Sequence, residues 1–468
     1  MDNTTQTKYF HRFLARIIIE AVTPLAVGSG EKDIITDALV ATDVNGLPYI
    51  PATAIAGVLR SMLEAEDIDK TFGFQAADKG SGSEIIFSEA KIINHKGDVI
   101  DGLKPDAIYS DELLRHYQEL PIRQHVRMTD KGVAAKRGKF DEQVVYTGTR
   151  FCFEVEMVSE GENLNTLLSV LRQLYNKNFR IGGGTRCGFG EIKVIDIKIM
   201  DLNLSEKSDL EIYLQKTSAL NTGFWSSHPD RLVELENSGT QNDDFLTFTV
   251  NITPDAFFLF GSGFGDNEAD MTPVKAKAVE WSDKDGKTEG KLKENMILIP
   301  ATSVKGALAH RVAFHYNRQQ GVFADDLNGE ETANIAGHNP VVMALFGSEG
   351  KNDKDFTRGN VIISDIIQDR RLKDKVFNHV AIDKFTGGGR EGALFSEKAT
   401  YGAGNAFTLR ISIDKKRLEE SFPELAEPAV ASLQLALDDL CNGLLPLGGG
   451  VNRGHGIFSG SYIKHDKQ

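Results

Sequence analysis

Residues 47–66 have the sequence LPYIPATAIAGVLRSMLEAE, and residues 297–317 have the sequence ILIPATSVKGALAHRVAFHYN. The two segments share Ile-Pro-Ala-Thr and carry a glycine at the same later position, Gly57 and Gly306. Each pattern is typical of a strand end that leads into an amphipathic helix. Internal repeats fix the architecture of a chain before any single motif is interpreted. The sequence therefore indicates two copies of one domain.

Further landmarks recur in the same order outward from these segments. Upstream, each copy has Gly-Ser-Gly and then an aspartate seven residues after its last glycine. Downstream, each has Phe-Gly, a strand-like stretch with a serine, His-Val, and a loop of three glycines, three variable residues and Gly-x-Gly. The pairs are Gly30 and Asp37 with Gly263 and Asp270, Phe72 with Phe346, Ser88 with Ser364, His125 with His379, and GGGTRCGFG (182–190) with GGGVNRGHG (448–456). Six landmarks in one order indicate a tandem duplication.

The apolar periodicity predicts the same order of elements, βαββαβ, in each copy. This order is the ferredoxin-like (RRM-like) plan of the α+β class, an antiparallel sheet with two helices on one face. We predict a first domain over 1–205, a linker over 206–244 without periodicity, and a second domain over 245–468. Two long inserts, 94–150 and 368–406, exceed normal connections, and loops of that length usually carry function.

The composition bounds the function. Of the 468 residues 41% are hydrophobic, which is enough to form hydrophobic cores. The formal net charge of -14 argues against a protein that binds nucleic acid or anionic membranes through its overall charge alone. Three scattered cysteines without a CxxC exclude a disulfide framework and favour a reducing cytoplasm. The sequence has neither the apolar run of a signal peptide nor a membrane-spanning stretch, so we expect no membrane association.

The two glycine loops suggest anion binding. Gly183, Gly184, Gly449 and Gly450 let the backbone approach closely and can leave consecutive N–H groups facing an anion. Arg186 and Arg453 can add bidentate phosphate contacts, although they occupy different positions in their loops. The alternative is a glycine-rich turn that closes a sheet.

The insert of the first copy contains RQHVRMTDKGVAAKRGK (123–139), which has six Lys/Arg residues, including Arg127 and Lys136, and one acid. Such charge on a long loop suits a segment that follows phosphates, although a solvated loop is the alternative. His125 and His379 are either general bases or, more commonly for a lone histidine in a polar loop, hydrogen-bonding or nucleic-acid contacts.

Asp37 and Asp270 have equal spacing from a glycine turn and lie between the first strand and the first helix. A carboxylate there can ligate a divalent metal or assist proton transfer at a phosphodiester. Each aspartate can equally be a turn or cap residue. Asp266, which is nearer the second Gly-Ser-Gly, is the substitute candidate if Asp270 is not the functional residue.

Together these motifs resemble the RAMP superfamily, and specifically a tandem fusion of two backbone subunits of a type III (type III-D-like) CRISPR-Cas effector complex. The resemblance rests on GSGEKDIITDALVATDVNGLPYIPATAIAGVLR and GGGTRCGFG, and on GSGFGDNEAD, ILIPATSVKGALAHR and GGGVNRGHG. It implies two RAMP domains with inserted thumb hairpins, bound to CRISPR RNA, target single-stranded RNA and other effector subunits.

The resemblance also implies metal-dependent cutting of target RNA at two sites, leaving a cyclic phosphate end. By motif position the catalytic and metal-binding aspartates are Asp37 and Asp270, with Mg²⁺ or another divalent ion as cofactor. Lys305 matches a lysine that faces the guide backbone, where the first copy has Ala56. Arg60 and Arg311, which end the motif, join the expected RNA contacts.

Two other functions stay open from the sequence. The chain can be a scaffold subunit that binds CRISPR RNA and leaves cutting to another subunit. It can also be a guide-processing ribonuclease of the same superfamily that uses histidine without a metal.

Overall fold

The computed structural model describes residues 9–33, 36–63, 65–76, 78–129, 133–161, 164–237, 244–284, 286–326, 335–348 and 357–465. The elements of the first half are β1 (His11–Ala21), α1 (Ala52–Arg60), α2 (Ala65–Phe72), β2 (Phe74–Ala76), β3 (Lys79–Ser81), β4 (Ile85–Phe87), β5 (Lys91–Ile92), α3 (Pro105–Ser110), β6 (Ile122–Met128), β7 (Ala134–Gln143), β8 (Arg150–Ser159), α4 (Leu164–Arg172), β9 (Ile192–Asn203), α5 (Lys207–Gln215) and α6 (Leu232–Asn237).

The elements of the second half are β10 (Phe245–Pro254), β11 (Phe257–Phe258), β12 (Lys275–Lys284), β13 (Lys287–Ile299), α7 (Ala301–Gln319), α8 (Ile335–His338), α9 (Pro340–Phe346), β14 (Gly347–Ser348), β15 (Thr357–Arg358), β16 (Val361–Ile363), β17 (Ile366–Gln368), β18 (Asp374–Ile382), β19 (Gly389–Tyr401), β20 (Phe407–Asp414), α10 (Lys415–Ser421), α11 (Ala426–Cys441) and β21 (Phe458–His465). None of the described helices is long and apolar enough to cross a membrane.

Each half is built on one antiparallel sheet. The first has the order β4-β8-β1-β9, with β5 also on β8, and the second has the order β16-β20-β10-β21. In the first sheet β1 lies between β8 and β9, and in the second sheet β10 lies between β20 and β21. The α+β class is thereby confirmed, with the same strand order in each half.

The core of each half lies between its sheet and its helices. In the first half Ile17 and Ile19 of β1 pack with Ile55 of α1 and Leu171 of α4. In the second half the same positions are filled from β10, α7 and α11, with Phe248, Val304 and Leu437 fully buried. Alternating burial along the strands and helical spacing in α1 explain why the periodicity predicted these elements.

The long inserts form two-stranded hairpins. The hairpin β6–β7 lies within 94–150, and β18–β19 lies within 368–406. The second half has a further long hairpin, β12–β13, before its first helix. The first half has no counterpart of it among the described residues.

The predicted linker is more structured than its lack of periodicity suggested. It contains α5 and α6, and between them Trp225 is buried with its indole Nε1 donating to Glu154 Oε1 at 2.6 Å. Short helices of mixed polarity give no clear apolar period, so the pattern did not predict them.

The two halves are held together by the additional hairpin and by the first glycine loop. Trp281 of β12 donates to the carbonyl of Gly148 at 2.7 Å, and the guanidinium of Arg150 lies 4.1 Å from its ring centroid. Arg123 of β6 pairs with the buried Asp365 at 3.3 Å. Gly188 packs against the backbone of Ile363, at the end of β16.

We predict that Gly188→Ala destabilises the chain more than Gly454→Ala. The two glycines occupy equivalent loop positions with φ of 86° and 84°, so both variants incur a cost of about 1–2 kcal/mol for the left-handed conformation. A Cβ at Gly188 would lie 2.2 Å from the carbonyl oxygen of Ile363, whereas at Gly454 it would meet nothing within 4 Å. Overlap adds a further ~1–3 kcal/mol to the first variant. Urea unfolding followed by circular dichroism measures the difference, and equal losses would contradict this contact between the halves.

Candidate functional site

Asp37 lies at the base of the first hairpin, where its loop pairs with strand β7. Its Oδ2 accepts the N–H of Asp141 at 3.0 Å, and its own N–H donates to the carbonyl of Asp141 at 3.2 Å. The next residue, Ala38, forms a parallel bridge with Glu142. The side chain of Asp37 remains exposed.

Asp270 has the same arrangement on strand β19. Its Oδ2 accepts the N–H of Ser396 at 2.7 Å and the hydroxyl of Ser396 at 2.8 Å. Met271, which follows it, forms a parallel bridge with Glu397. The hydrogen bonds from Ser396 lower the pKa of the Asp270 carboxyl, which keeps it ionised. The equal spacing in the sequence thus corresponds to equal positions in space.

A histidine and a glutamate stand beside each aspartate loop. Nε2 of His125 lies 2.8 Å from Oε1 of Glu142, and Nε2 of His379 lies 3.0 Å from Oε1 of Glu397. Each imidazole also stacks on a phenylalanine two residues before its glutamate. The ring centroids are 4.6 Å apart for His125 and Phe140 and 4.8 Å apart for His379 and Phe395.

The phenylalanine and glutamate are functional candidates that the sequence reasoning missed. The signal was Phe-x-Glu, present as Phe140-Asp141-Glu142 and Phe395-Ser396-Glu397. It follows the paired histidines by 15 to 17 residues in one copy and 16 to 18 in the other. Such a short pattern within inserts of different length is inconspicuous until the strands are paired.

The two glutamates have different surroundings. Glu397 is fully buried and accepts hydrogen bonds from Nε and Nη2 of Arg453, and His455 Nε2 lies 3.3 Å from its Oε1. Burial opposes ionisation, but the hydrogen bonds from Arg453 and His379 outweigh it and lower the pKa of Glu397. Arg453 therefore neutralises a carboxylate in the protein.

In the first copy Cys187 and Phe189 occupy the positions of Arg453 and His455. Glu142 consequently lacks the arginine that pairs with Glu397. Arg186, the arginine of this loop, extends instead toward Arg358 and Arg417 of the second half. The two arginines differ by one position in their loops, and they have different neighbours. Arg453 pairs with Glu397, whereas Arg186 lies near Arg358 and Arg417.

The glycine loops serve close backbone packing. A Cβ at Gly184 would lie 2.6 Å from the Phe189 ring, and at Gly450 it would lie 2.6 Å from the His455 ring. The N–H groups of Gly183 and Gly449 donate to the carbonyls of Ala26 and Leu259 at 2.8 and 2.7 Å. The expectation that these two N–H groups face an anion is therefore wrong, because each already has a backbone acceptor.

Asp266 has the position of a turn residue. Its Oδ1 accepts the N–H groups of Glu268 and Ala269 at 2.8 and 2.9 Å, and Oδ2 pairs with Lys398 at 2.5 Å. Asp33 makes the same turn in the first copy, accepting the N–H of Thr36 at 2.5 Å. Each copy thus has two aspartates four residues apart, of which the first holds the turn and the second pairs with the hairpin.

The other expected contacts lie in different settings. Arg127 and Lys136 are exposed on the first hairpin, and so are Val126 and Met128. Arg60 is exposed at the end of α1, with Asp69 3.9 Å away. Lys305 on α7 is half-buried and lies near Cys187 of the first glycine loop.

Arg311 is engaged within the protein. Its Nε donates to Asp439 of α11, which also lies 2.7 Å from Nε2 of His315. Burial raises the pKa of Asp439, but the bonds from Arg311 and His315 reverse this and lower it. Arg311 therefore stabilises the packing of α7 on α11. Arg60 is exposed and aligns with Ala309, two residues before Arg311.

The donor set at each aspartate is small. Among the residues that the structure describes, no three His, Cys, Asp or Glu side chains converge in a way that holds a metal ion. In both sites Oδ2 of the aspartate accepts the hairpin N–H, and the side chain is exposed. Mg²⁺ is commonly held by one or two carboxylates together with water and substrate phosphates. The residues fit an ion shared with a phosphate.

Comparison with known families agrees with the internal duplication. The sequence profile of the RAMP superfamily matches residues 18–193 and again residues 285–459. The chain belongs to the RAMP superfamily. The first region includes Asp37 and the hairpin β6–β7. The second includes the hairpin β18–β19 and the glycine loop at 448–456, while β10 and Asp270 lie before it.

One relative is a protein of Methanothermobacter thermautotrophicus named CRISPR system Cms endoribonuclease Csm3. It is 26% identical over 200 residues, which cover 38% of this chain and 77% of the relative. The match is of the length expected for one of the two RAMP halves.

We predict that Glu397→Gln destabilises the chain at neutral pH by about 2 kcal/mol, since it removes the charge of a buried carboxylate that accepts hydrogen bonds from Arg453 and His379. The pKa of Glu397 is lower in the folded chain than its ordinary value of 4.5. Its contribution is therefore present above that pH and is lost as the pH falls through the folded value.

Chemical denaturation between pH 7 and pH 3 measures this effect. The wild-type chain should lose stability toward acid more steeply than Glu397→Gln. Glu419→Gln, which removes an exposed partner of Lys415, serves as the matched control and should change stability by less than about 0.5 kcal/mol. A Glu397→Gln chain as stable as this control would contradict the buried pair.

Proposed function

We propose that the chain is a backbone subunit of a type III CRISPR effector that binds CRISPR RNA and cleaves complementary target RNA at two sites. The observation that carries the proposal is the duplicated constellation of an exposed aspartate, the hairpin strand that binds it, and a histidine–glutamate pair. Membership of the RAMP superfamily and the similarity to a CRISPR endoribonuclease support it. Its partners are then CRISPR RNA, single-stranded target RNA and other effector subunits, in the cytoplasm.

Each half is, in this proposal, a ferredoxin-like domain with an inserted thumb. The strand order shared by the two sheets supports the ferredoxin-like assignment. The boundaries proposed are 1–205, 206–244 and 245–468. The hairpins β6–β7 and β18–β19 are the thumbs, because they protrude with apolar side chains that no core covers, including Val126 and Met128 on the first and Val380, Phe385 and Leu394 on the second.

Exposed apolar and cationic groups on one hairpin suit contact with nucleic acid. Aromatic and aliphatic side chains can stack on or displace bases, and Lys and Arg compensate phosphates. On the second hairpin the ring of Phe385 is 87% exposed, with Lys384 Nζ 5.3 Å from its centroid. A hairpin of this kind can part a duplex beside the aspartate at its base.

The chemistry requires little from the protein. The 2′-hydroxyl of RNA is a nucleophile within the substrate, so the enzyme needs to hold the linkage in line and stabilise charge. Asp37 and Asp270 place an exposed carboxylate at the point where each hairpin leaves the sheet. These carboxylates would hold a divalent cation, which when bound would supply charge stabilisation at the phosphate. Attack of the 2′-oxygen and departure of the 5′-oxygen would leave a cyclic phosphate end.

The histidine–glutamate pairs act in this proposal by positioning. His125 is only 8% exposed and is covered by the ring of Phe140, so it is poorly placed to exchange protons with a substrate. Packing of the imidazole between Glu142 and Phe140 fixes the two hairpin strands against each other. This register determines where the N–H of Asp141 meets Asp37.

We predict that Asp37→Ala and Asp270→Ala each abolish one of two target cuts in the assembled complex and leave the other. Removal of the carboxylate takes away the ligand for the cation, and we expect a loss of about 100-fold or more in rate at that site. Asp37→Asn and Asp270→Asn keep an acceptor for the hairpin N–H and should be as inactive as the alanine variants. Gel mapping of end-labelled target RNA measures each cut separately.

Asp266→Asn serves as the matched control, because it changes a turn aspartate four residues away. It should retain the second cut to within a few-fold. If both cuts persist in the Asp37→Ala/Asp270→Ala chain, the nuclease proposal is contradicted and the scaffold function remains. Loss of the second cut in Asp266→Asn with retention in Asp270→Asn would reassign the second site.

We further predict that EDTA stops target cleavage and that Mg²⁺ added in excess restores it. The metal-independent alternative, in which histidine processes the guide, predicts that cutting continues in EDTA. Binding of the guide should be unchanged in both conditions, as measured by co-purifying RNA, since the proposed ion acts at the cut site. Cleavage that persists at full rate in EDTA would exclude the metal-dependent mechanism.

A further inference from the structure

A cleft of about 400 Å³ lies between the two halves, away from the hairpin bases. Its walls include Asn178 and Arg186 from the first half and Asp244, Arg358 and Asp414 from the second. A volume of this size is typical of sites for small ligands. The cleft exists only because the halves are packed together, since each supplies one wall.

Arg186 has no partner in this cleft. All three guanidinium nitrogens of Arg186 are buried and lack a hydrogen-bond acceptor among the described residues. Buried polar groups in proteins are nearly always hydrogen-bonded, and a buried charge without a partner is costly. An unsatisfied buried guanidinium therefore indicates a missing acceptor.

Two more arginines stand close to it. Arg358 and Arg417 of the second half act on Arg186 electrostatically, and Nη1 of Arg417 is likewise buried without an acceptor. Burial and the charges of Arg358 and Arg417 lower the pKa of Arg186 to about 10. Like charges brought together in a low-dielectric cleft repel one another unless an anion lies between them.

The carboxylates of the cleft do not fill this role. Asp414 Oδ1 accepts the backbone N–H of Arg417 at 3.2 Å, and its Oδ2 faces the Asn178 amide at 3.4 Å. None of the described carboxylates is within ion-pairing distance of Arg186, Arg358 or Arg417. The three arginines also exceed Asp244 and Asp414 by one positive charge.

We propose that Arg186, Arg358 and Arg417 form a binding site for a phosphate-type oxyanion that bridges the two halves of the chain. Guanidinium groups recognise phosphate through paired N–H donors, and several arginines around one oxyanion satisfy all of its acceptors. The ligand is either a free oxyanion such as inorganic phosphate or one phosphate of a bound RNA backbone. In both cases the anion links a loop of the first half to β15 and α10 of the second.

The first measurement is thermal unfolding of the full chain in phosphate-free buffer, with sodium phosphate added against sodium chloride of equal ionic strength. A free oxyanion ligand predicts that phosphate raises the Tm of the wild type above the chloride value. Arg186→Gln and Arg358→Gln should each raise, at least tenfold, the phosphate concentration needed for the same rise in Tm. Arg115→Gln, which removes an exposed arginine of the first half, serves as the control and should respond like the wild type.

The second measurement uses a short single-stranded RNA in the same phosphate-free buffer. An RNA phosphate as ligand predicts no stabilisation by inorganic phosphate, but an RNA affinity reduced about tenfold in Arg186→Gln and unchanged in Arg115→Gln. Neither measurement needs a guide-loaded complex or target cleavage, so the outcome is independent of the proposed nuclease activity.

A third readout separates binding from a structural role. Since Arg186 is an uncompensated buried charge without its ligand, Arg186→Gln should melt at the wild-type temperature or above it when phosphate and RNA are absent. A lower Tm under those conditions would show that the arginine stabilises the fold itself and would overturn the proposal. Equal responses of Arg186→Gln and Arg115→Gln to both ligands would overturn it as well.

Discussion

The hydrogen bond from a hairpin strand to the aspartate at its base is the interaction on which both candidate sites depend. It joins Asp37 to Asp141 and Asp270 to Ser396. The bond fixes the register between the aspartate loop and the second strand of the hairpin, and this register places the next residue, a glutamate, toward the histidine. A slip of one residue would turn the glutamate to the other face. One backbone contact thus assembles three side chains that are distant in the sequence.

The two copies keep this backbone arrangement and differ in the side chains around it. The loop glycines pack in the same way over Phe189 and over His455. In the second copy Arg453 and His455 surround Glu397, whereas in the first copy the corresponding positions are Cys187 and Phe189. The buried Glu397 is therefore held in an ionic cluster with Arg453, His379 and His455, whereas Glu142 has His125 beside it at 2.8 Å. The duplication has preserved geometry more strictly than charge.

The sequence revealed the parts of the fold that depend on periodic patterns and on repetition. The duplication, the order of the core elements and the equal position of the two aspartates all follow from it. It did not reveal Glu142 and Glu397, because their significance depends on strand pairing across inserts of different length. It also suggested that Arg186 and Arg453 act alike, and only the packing shows that one faces a cleft and the other a glutamate. A single sequence contains little information about which distant strands and loops pair with one another.

The hairpin β12–β13 has a consequence for the spacing of the two sites. Trp281 is held by Gly148 and Arg150, Gly290 donates to the carbonyl of His95 at 2.8 Å, and Arg123 pairs with the buried Asp365. All of these contacts would have to break before the halves moved apart. The contacts between the halves therefore fix the distance between Asp37 and Asp270. An RNA that is bound at both aspartates, as the proposed function requires, must adapt its own path to this fixed separation.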